Sequence, residues 1–402
     1  MTDAAPPSPQ KSANLAEQSS HQNQLEACPA LTAYLSGTPE EKALGEFSVL
    51  DQDGKASPEN IRFLSKELAR NLYGGMLRIR VVDARLMKLQ RQGRIGFYGE
   101  ALGQEAAVVG SAAALKQEDW FIPALREAGG GLYRGMSLSS YVAQIMGTDA
   151  DNCKGRQMPC HPCDPKTNYV VMSSCVSSQV PHAVGIAMAM KLTEAKEVCM
   201  GFMGDGGTSE GDFHVSLNFA GVMKSPVVLI CQNNQWAIST PGHRQTASPT
   251  IAIKGLGYGL ESLRVDGNDV LACYLAAKYA VDKARAGGGA TFLELLTYRV
   301  GAHSSSDDPS QYRDESHTTD WRENRDPLVR METLLDRGLM SKDEREKLRT
   351  KFETEINEVV SEQEAAGLPD VKTLIEDVFE TPHWRLRDQM SEYLKEEEQY
   401  GD

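Results

Sequence analysis

Residues 204–234 read GDGGTSEGDFHVSLNFAGVMKSPVVLICQNN, which sets a carboxylate, Asp205, and an amide, Asn234, just beyond two short apolar runs. A carboxylate and an amide that converge offer two hard oxygen ligands, the kind magnesium takes when protein and a diphosphate bind it jointly. Gly204, Gly206 and Gly207 remove side-chain bulk, so a ligand can approach the backbone there. A helix starting near Thr208 would aim unpaired N–H groups at an anion. Each half alone is explained as well by an ordinary strand-to-helix turn or a polar loop. Their pairing at this spacing is what favours a ligand site.

For the two residues to meet, strands must lead into them and a helix must join those strands. The pattern predicts strands over 198–203 and 226–231 with a helix over 210–223 between them. A helix over 179–192 comes before, and a helix over 269–286 and a strand over 291–297 follow. A right-handed crossover makes both strands point the same way, so Asp205 and Asn234 emerge together at the carboxyl edge of the sheet, where open α/β sheets bind ligands. The expected fold class is therefore α/β, a doubly wound, mostly parallel sheet over about residues 110–310.

Other segments surround this unit. Residues 45–56 (GEFSVLDQDGKA) suggest a hairpin turning at Asp53-Gly54. The D-x-D-G run is not a calcium loop, because the twelfth position from Asp51 is Arg62 rather than Glu. Leu64, Leu68 and Leu72 mark a helix over 57–92, and further helices fit 101–115 and 137–146. Past Pro327 the chain turns polar and helical. Ser341 to Glu344 has capping-box form, Leu348, Phe352, Ile356 and Val360 follow at helical spacing, and Gly367 and Pro369 are stop signals. The resulting division is a flexible N-terminal arm (1–44), an α/β domain with N-terminal helices (45–320) and a C-terminal helical region (321–402).

The chain has 402 residues and a formal charge of −14, which argues against nucleic acid or an anionic membrane as the main partner. No apolar run approaches the roughly 18 residues a membrane-spanning helix needs. The eight cysteines are scattered, as in a reduced cytosolic enzyme rather than a disulfide scaffold. The first thirty residues hold no Arg and three acids (Asp3, Glu17, Glu26), unlike a transit peptide, and lack the apolar core of a secretory signal. The expected location is the cytoplasm of a bacterial cell.

Gly-Asp-Gly, then residues 207–232, then Asn-Asn, resembles the thiamine-diphosphate signature. From about Phe47 to Trp321 the chain resembles the α subunit of the first component of 2-oxo acid dehydrogenase complexes. SEGD after GDG, NNQWAIST, and YRVGAHSSSDDPSQYR at Tyr298–Arg313 are similar to the branched-chain, 2-oxoisovalerate type. The alternatives are a pyruvate or acetoin dehydrogenase α subunit, or a non-catalytic cofactor-binding relative.

The resemblance implies thiamine diphosphate and Mg²⁺ as cofactors, with Asp205, Asn234 and the backbone carbonyl of Trp236 as the metal's protein ligands. Arg126 in LREAGG and Arg299 match diphosphate-binding positions, and Ser174 and Val176 match the segment that meets the aminopyrimidine. Ser173, Ser178 and Gln179 match a K⁺ site. His303 matches a residue that stabilises or protonates reaction intermediates, a task suited to a group titrating near neutrality. Ser304 matches a kinase target in mammalian relatives. The chain departs from the family at Leu125, where a Tyr is usual, and at Gln232, where an Arg is usual; each loses a phosphate contact. Residues near Phe97, Tyr98 and Gln104 are expected to shape the substrate pocket. The acid that activates the cofactor lies on a β subunit in related enzymes, and only one doubly wound module is found here. An α₂β₂ heterotetramer follows, with a lipoyl-bearing acyltransferase as acyl acceptor.

Cys160-His-Pro-Cys163 permits a redox pair or half a zinc site, with His161 beside it. No second C-x-x-C exists and Cys153 is the only other thiol nearby, so a purely structural role is expected.

Overall fold

The structure, a computed structural model, describes residues 28–400. Residues 28–44, which the sequence places in a loose arm, form two packed helices, α1 (Pro29–Leu35) and α2 (Pro39–Leu44). Cys28, Leu31 and Ala43 are buried, and the Tyr34 hydroxyl donates to the Lys42 carbonyl at 2.5 Å. The arm's residues 1–27, and with them the question of a leader, lie outside the described residues. No hairpin forms at 45–56. The turn is present, with the Gly54 N–H on the Asp51 carbonyl at 3.0 Å and Gly54 at φ +73°, but no strands flank it. Phe47 pairs instead with Val265 at the edge of the main sheet.

Helix α3 (Lys66–Arg91) starts later than its apolar spacing suggests, because Ser65 caps it by accepting from the Leu68 N–H at 3.0 Å. Helix α4 (Glu105–Ala112) is shorter than expected. The chain then runs β1 (Trp120–Ile122), α5 (Ala128–Tyr133), α6 (Leu138–Met146), α7 (Gln179–Leu192), β2 (Cys199–Gly204), α8 (Gly211–Met223) and β3 (Val227–Asn233). A small ribbon follows, β4 (Trp236–Ala237) with β5 (Thr240–Pro241), then α9 (Ile253–Leu256), β6 (Glu261–Asp266), α10 (Val270–Arg285) and β7 (Thr291–Leu296).

Five strands pair in the order β1-β2-β3-β7-β6, all parallel. This is the expected doubly wound α/β architecture. Alternation along the strands divides the core in two. Met200, Phe202, Val228, Ile230 and Leu293 pack toward α3, α4 and α10, while Cys199, Met203, Leu229, Cys231 and Phe292 pack toward α7 and α8. Burying each such side chain contributes roughly 1.5–3 kcal/mol. Helix α7 lies close on β2 because Gly201 has no side chain; a Cβ there would meet Ala183 Cβ at 2.7 Å.

The C-terminal region comprises α11 (Glu315–Asn324), α12 (Pro327–Leu335), α13 (Lys342–Ala365), α14 (Thr373–Glu376) and α15 (Trp384–Tyr400). The capping box at Ser341 and Glu344 is formed on both sides. Helix α13 lies along α3, buries Ile356 and Val360, and pairs Glu344 with Arg70 and Glu355 with Arg78. Among the described residues no helix is long and apolar enough to cross a membrane.

Asp269 joins the N-terminal segment to the sheet. Fully buried, it caps α10 through the N–H groups of Leu271 and Ala272 and also accepts from Val49 and Leu50 at 2.7 and 2.6 Å. Asp269→Ala orphans four backbone donors, two of them far away in sequence. It should destabilise the chain by about 3 kcal/mol, read as a lower denaturant midpoint in chemical unfolding. An unchanged midpoint would show that these bonds carry no net stability.

Candidate functional site

Four of the five strands end on one cavity of about 740 Å³. Beyond β1 stand Leu125 and Arg126, beyond β2 Asp205, Gly206 and Gly207, beyond β3 Asn234 and Trp236, and beyond β7 Arg299 and His303. The loop before α7 adds Ser173, Ser174 and Val176, and Gly204 and Gln232 also line the space. Apart from Ser178, every candidate metal, cofactor and catalytic residue named from the sequence therefore faces one volume, at the carboxyl edge of a parallel sheet.

The charged groups are buried but incompletely matched. Asp205 is 3% exposed, and its Oδ2 accepts from Gln245 Nε2 at 2.8 Å. Burial pushes its carboxyl up to about 6, and among the described residues it has no salt bridge. A divalent cation beside it would favour the ionised form. Asn234 donates to Gln104 Oε1 at 3.0 Å, and its Oδ1 accepts from the Trp236 N–H at 3.2 Å, which fixes the amide's orientation. Asp205, Asn234 and the Trp236 carbonyl are all oxygen donors, the set a hard cation takes.

Arg126 donates to the backbone carbonyls of Glu100 and His303, the latter at 2.6 Å. Arg299 donates to the Ile238 carbonyl and the Tyr312 hydroxyl, each at 2.7 Å, and to the Trp236 carbonyl at 3.3 Å. Burial lowers the pKa of both, and Arg126 adds to the effect on Arg299, which falls to about 10. Two buried guanidinium groups that repel one another across a cavity form an anion site. The residues present thus fit a metal-bound diphosphate.

His303 departs from the expectation that it titrates near neutrality. Burial, then Arg126 and Arg299, hold it down to about 4, so its imidazole is neutral at ordinary pH. Its backbone N–H donates to Asp307 at 2.7 Å.

Several other expectations need correction. Gly204 leaves open space where a side chain would stand, but Gly206 and Gly207 serve packing. A Cβ at Gly206 would meet Ala237 Cβ at 2.5 Å, and one at Gly207 would meet Ser177 Oγ at 2.7 Å. Residues 205–209 form a 3₁₀ turn, and α8 begins only at Gly211. Phe97 lines the cavity, whereas Tyr98 and Gln104 are fully buried behind it. Tyr98 donates to Asp83 at 2.6 Å, and Gln104 accepts from both Asn234 and Gln232. Ser173 and Gln179 line the cavity, but Ser178 does not; its hydroxyl donates to the Cys175 carbonyl at 2.8 Å. Ser304 is only 8% exposed.

Three contributors were not anticipated as site residues. His161 lines the cavity, its Nδ1 3.1 Å from the Pro159 carbonyl and its Nε2 2.7 Å from Ser174 Oγ. Because a carbonyl only accepts, Nδ1 carries a proton. The sequence signal is the C-H-P-C run, in which the histidine and neither thiol reaches the cavity. Glu127, pushed up to about 7 by burial, accepts from the Ala124 and Arg126 N–H groups at 2.8 and 3.0 Å. Gln245, the partner of Asp205, sits in a loop with no distinguishing pattern.

Comparison with known proteins agrees with this geometry. The family model described as "Dehydrogenase E1 component" matches residues 73–372. The chain is 40% identical over 346 residues to "2-oxoisovalerate dehydrogenase subunit alpha 2, mitochondrial" of Arabidopsis thaliana, covering 85% of this chain and 73% of that protein. It is 37% identical over 358 residues to the human "2-oxoisovalerate dehydrogenase subunit alpha, mitochondrial", covering 89% and 80%. With "3-methyl-2-oxobutanoate dehydrogenase subunit alpha" of Mycobacterium tuberculosis it shares 44% identity over 281 residues, covering 70% and 74%. The plant and human relatives are named mitochondrial, which overturns the expected cytoplasmic location; the composition of residues 1–30 does not decide the compartment. By the extent of these matches and by its fold, the chain belongs to the dehydrogenase E1 component family.

Proposed function

We propose that this chain is the α subunit of a 2-oxoisovalerate dehydrogenase, acting with a β subunit in an α₂β₂ assembly on branched-chain 2-oxo acids and passing the acyl group to a lipoyl-bearing acyltransferase. The single observation that carries the reading is the meeting of Asp205, Asn234, Trp236, Arg126, Arg299 and His303 on one cavity. On this reading Asp205, Asn234 and the Trp236 carbonyl hold Mg²⁺, while Arg126 and Arg299 bind the diphosphate. Thiamine diphosphate, when bound, supplies the nucleophilic carbon and the electron sink for loss of carbon dioxide. Ser174 and Val176 position the aminopyrimidine end. His303, neutral between its guanidinium neighbours, donates a hydrogen bond to oxygen where negative charge develops. A K⁺ ion near Ser173 and Gln179 belongs to the same reading.

Two features support a partner that completes the site. Val176 and Ile238, on the cavity wall, are 61% and 54% exposed, an apolar rim with nothing over it. Among the carboxylates that line the cavity, Asp205 is taken by the metal on this reading and Glu127 is committed to two backbone N–H groups, which leaves only the exposed Glu210. Phe97, Leu125, Met172 and Ile238 give the cavity an aliphatic lining that suits a branched side chain. The Gln232 amide, which replaces a phosphate-binding Arg, is tied to Gln104 at 2.7 Å and serves the wall instead.

Co-expression with the β subunit tests this reading. Asp205→Ala should abolish cofactor binding by calorimetry and activity with it. His303→Ala should keep cofactor binding but lower kcat by about 10²–10³-fold. 2-Oxoisovalerate should exceed pyruvate in kcat/KM by at least about tenfold. Full decarboxylation by this chain alone, or parental activity in both variants, would refute the proposal.

The neutral state of His303 has its own readout. Its folded pKa of about 4 lies below the ordinary 6.5, so the unfolded chain takes up the proton first as pH falls. The His303 contribution to stability is therefore intact above about 6.5 and lost as pH falls toward 4. NMR titration of the imidazole should give a midpoint near 4, and Arg126→Gln should raise it. A midpoint at 6 or above in the parent would contradict the assignment.

A further inference from the structure

Three thiols lie close together on the segment that brings His161 to the cavity wall, and the structure sorts them differently from their spacing. Cys160 is 4% exposed, and its backbone adopts φ +68°. It packs near Asp83 and Tyr141, bonded to the Gly99 backbone. Cys163 is half-buried, and its sulfur stands 3.6 Å from that of Cys153, which is also half-buried. The flanking backbone is held on both sides. Asp151 accepts from the N–H groups of Cys153 and Gly155, each at 2.9 Å, and Asn152 donates to the Cys163 carbonyl at 3.3 Å.

We propose that Cys153 and Cys163 form a reversible disulfide by exchange with a low-molecular-weight disulfide of the glutathione class, closing the loop that carries Met158 and His161 into the cavity wall. A disulfide needs its sulfurs about 2.05 Å apart, so the pair must close by only about 1.5 Å, within reach of side-chain rotation. Burial, and the hydrogen bond its S–H donates to Cys163, hold the Cys153 thiol above its ordinary range, which disfavours Cys153 as the first nucleophile. The Cys163 thiolate attacks one sulfur of the small disulfide, forms a mixed disulfide and releases one small thiol. Cys153 then loses its proton to solvent and attacks the Cys163 sulfur, which releases the second small thiol. Two protein thiols become one disulfide, and the small disulfide takes up the two electrons and two protons.

Closure pins the loop from both ends. Lys154 and Arg156, inside it, pair with Asp377, and the Asp149 N–H donates to the Gly367 carbonyl at 3.1 Å, so the same segment also touches the C-terminal region. The inference stands apart from the proposed reaction, because neither sulfur lines the cavity.

The tryptic map tests it directly. The folded full-length chain is incubated with oxidised glutathione, its free thiols are alkylated, and it is digested without reduction. Trypsin cuts after Lys154, Arg156 and Lys166, so Cys153 leaves on one peptide while Cys160 and Cys163 share another, 157–166. The expected product is these two peptides joined, two hydrogens lighter than their sum and separated again by dithiothreitol. Cys160→Ser should retain the link; Cys153→Ser and Cys163→Ser should lose it. Amide hydrogen exchange over 153–163 should slow in the oxidised chain. An internal disulfide in the 157–166 peptide, a stable mixed disulfide, fully alkylated thiols, or unchanged exchange would each overturn the proposal.

Discussion

The cavity wall hangs on guanidinium groups buried among backbone carbonyls. Arg126 ties the carbonyls of Glu100 and His303, and Arg299 ties those of Trp236 and Ile238. Arg313 does the same for Arg299, Val300 and Gly301. Loops from β1, β3 and β7 also pack Leu125, Trp236, Tyr298 and Val300 against apolar neighbours, and these charged bonds fix the backbone between them. A guanidinium suits the task because its rigid fork of five donors reaches several acceptors at once, whereas a lysine offers one compact point charge. The arrangement is costly. Each charge leaves water, and carbonyl dipoles return only part of its hydration. Arg126 and Arg299 also repel one another, which is why the wall favours an anionic ligand.

The fold was legible where burial was complete. β2, α7, α8, β3, α10 and β7 lie within two or three residues of their expected limits, because strands buried on both faces read as continuous apolar runs. β6 escaped notice. Its Arg264 and Asp266 are charged in a strand, yet Arg264 pairs with Glu46 and Asp266 with Arg330. Only tertiary partners make ESLRVD a strand. The same limit explains the missing hairpin, since Phe47 is drawn to the β6 edge, donating to the Arg264 carbonyl at 2.9 Å, rather than to its own neighbours.

The candidate site was legible through residues that carry chemistry in their side chains, and poorly legible through residues that act on others. Asp205, Asn234, Arg126, Arg299 and His303 were assigned by pattern and resemblance, and all reach the cavity. Gln104 seemed suited to the pocket but works behind it, orienting Asn234 and Gln232. Gln245 and His161 carry no sequence signal for Asp205 and Ser174, which other loops bring to them, and Glu127 turns back on its own neighbours Ala124 and Arg126. The electrostatic state of His303 was also out of reach, because it is set by burial and by two arginines that neighbour it only in the folded chain.

The bare rim at Val176 and Ile238 has a consequence for the cell as well as for the reaction. A subunit waiting without its cover exposes greasy surface beside an open cleft, and such surface collects chaperones, proteases or copies of itself. Synthesis of this chain must therefore keep pace with whatever seals that edge, and any surplus is material for turnover rather than a reserve.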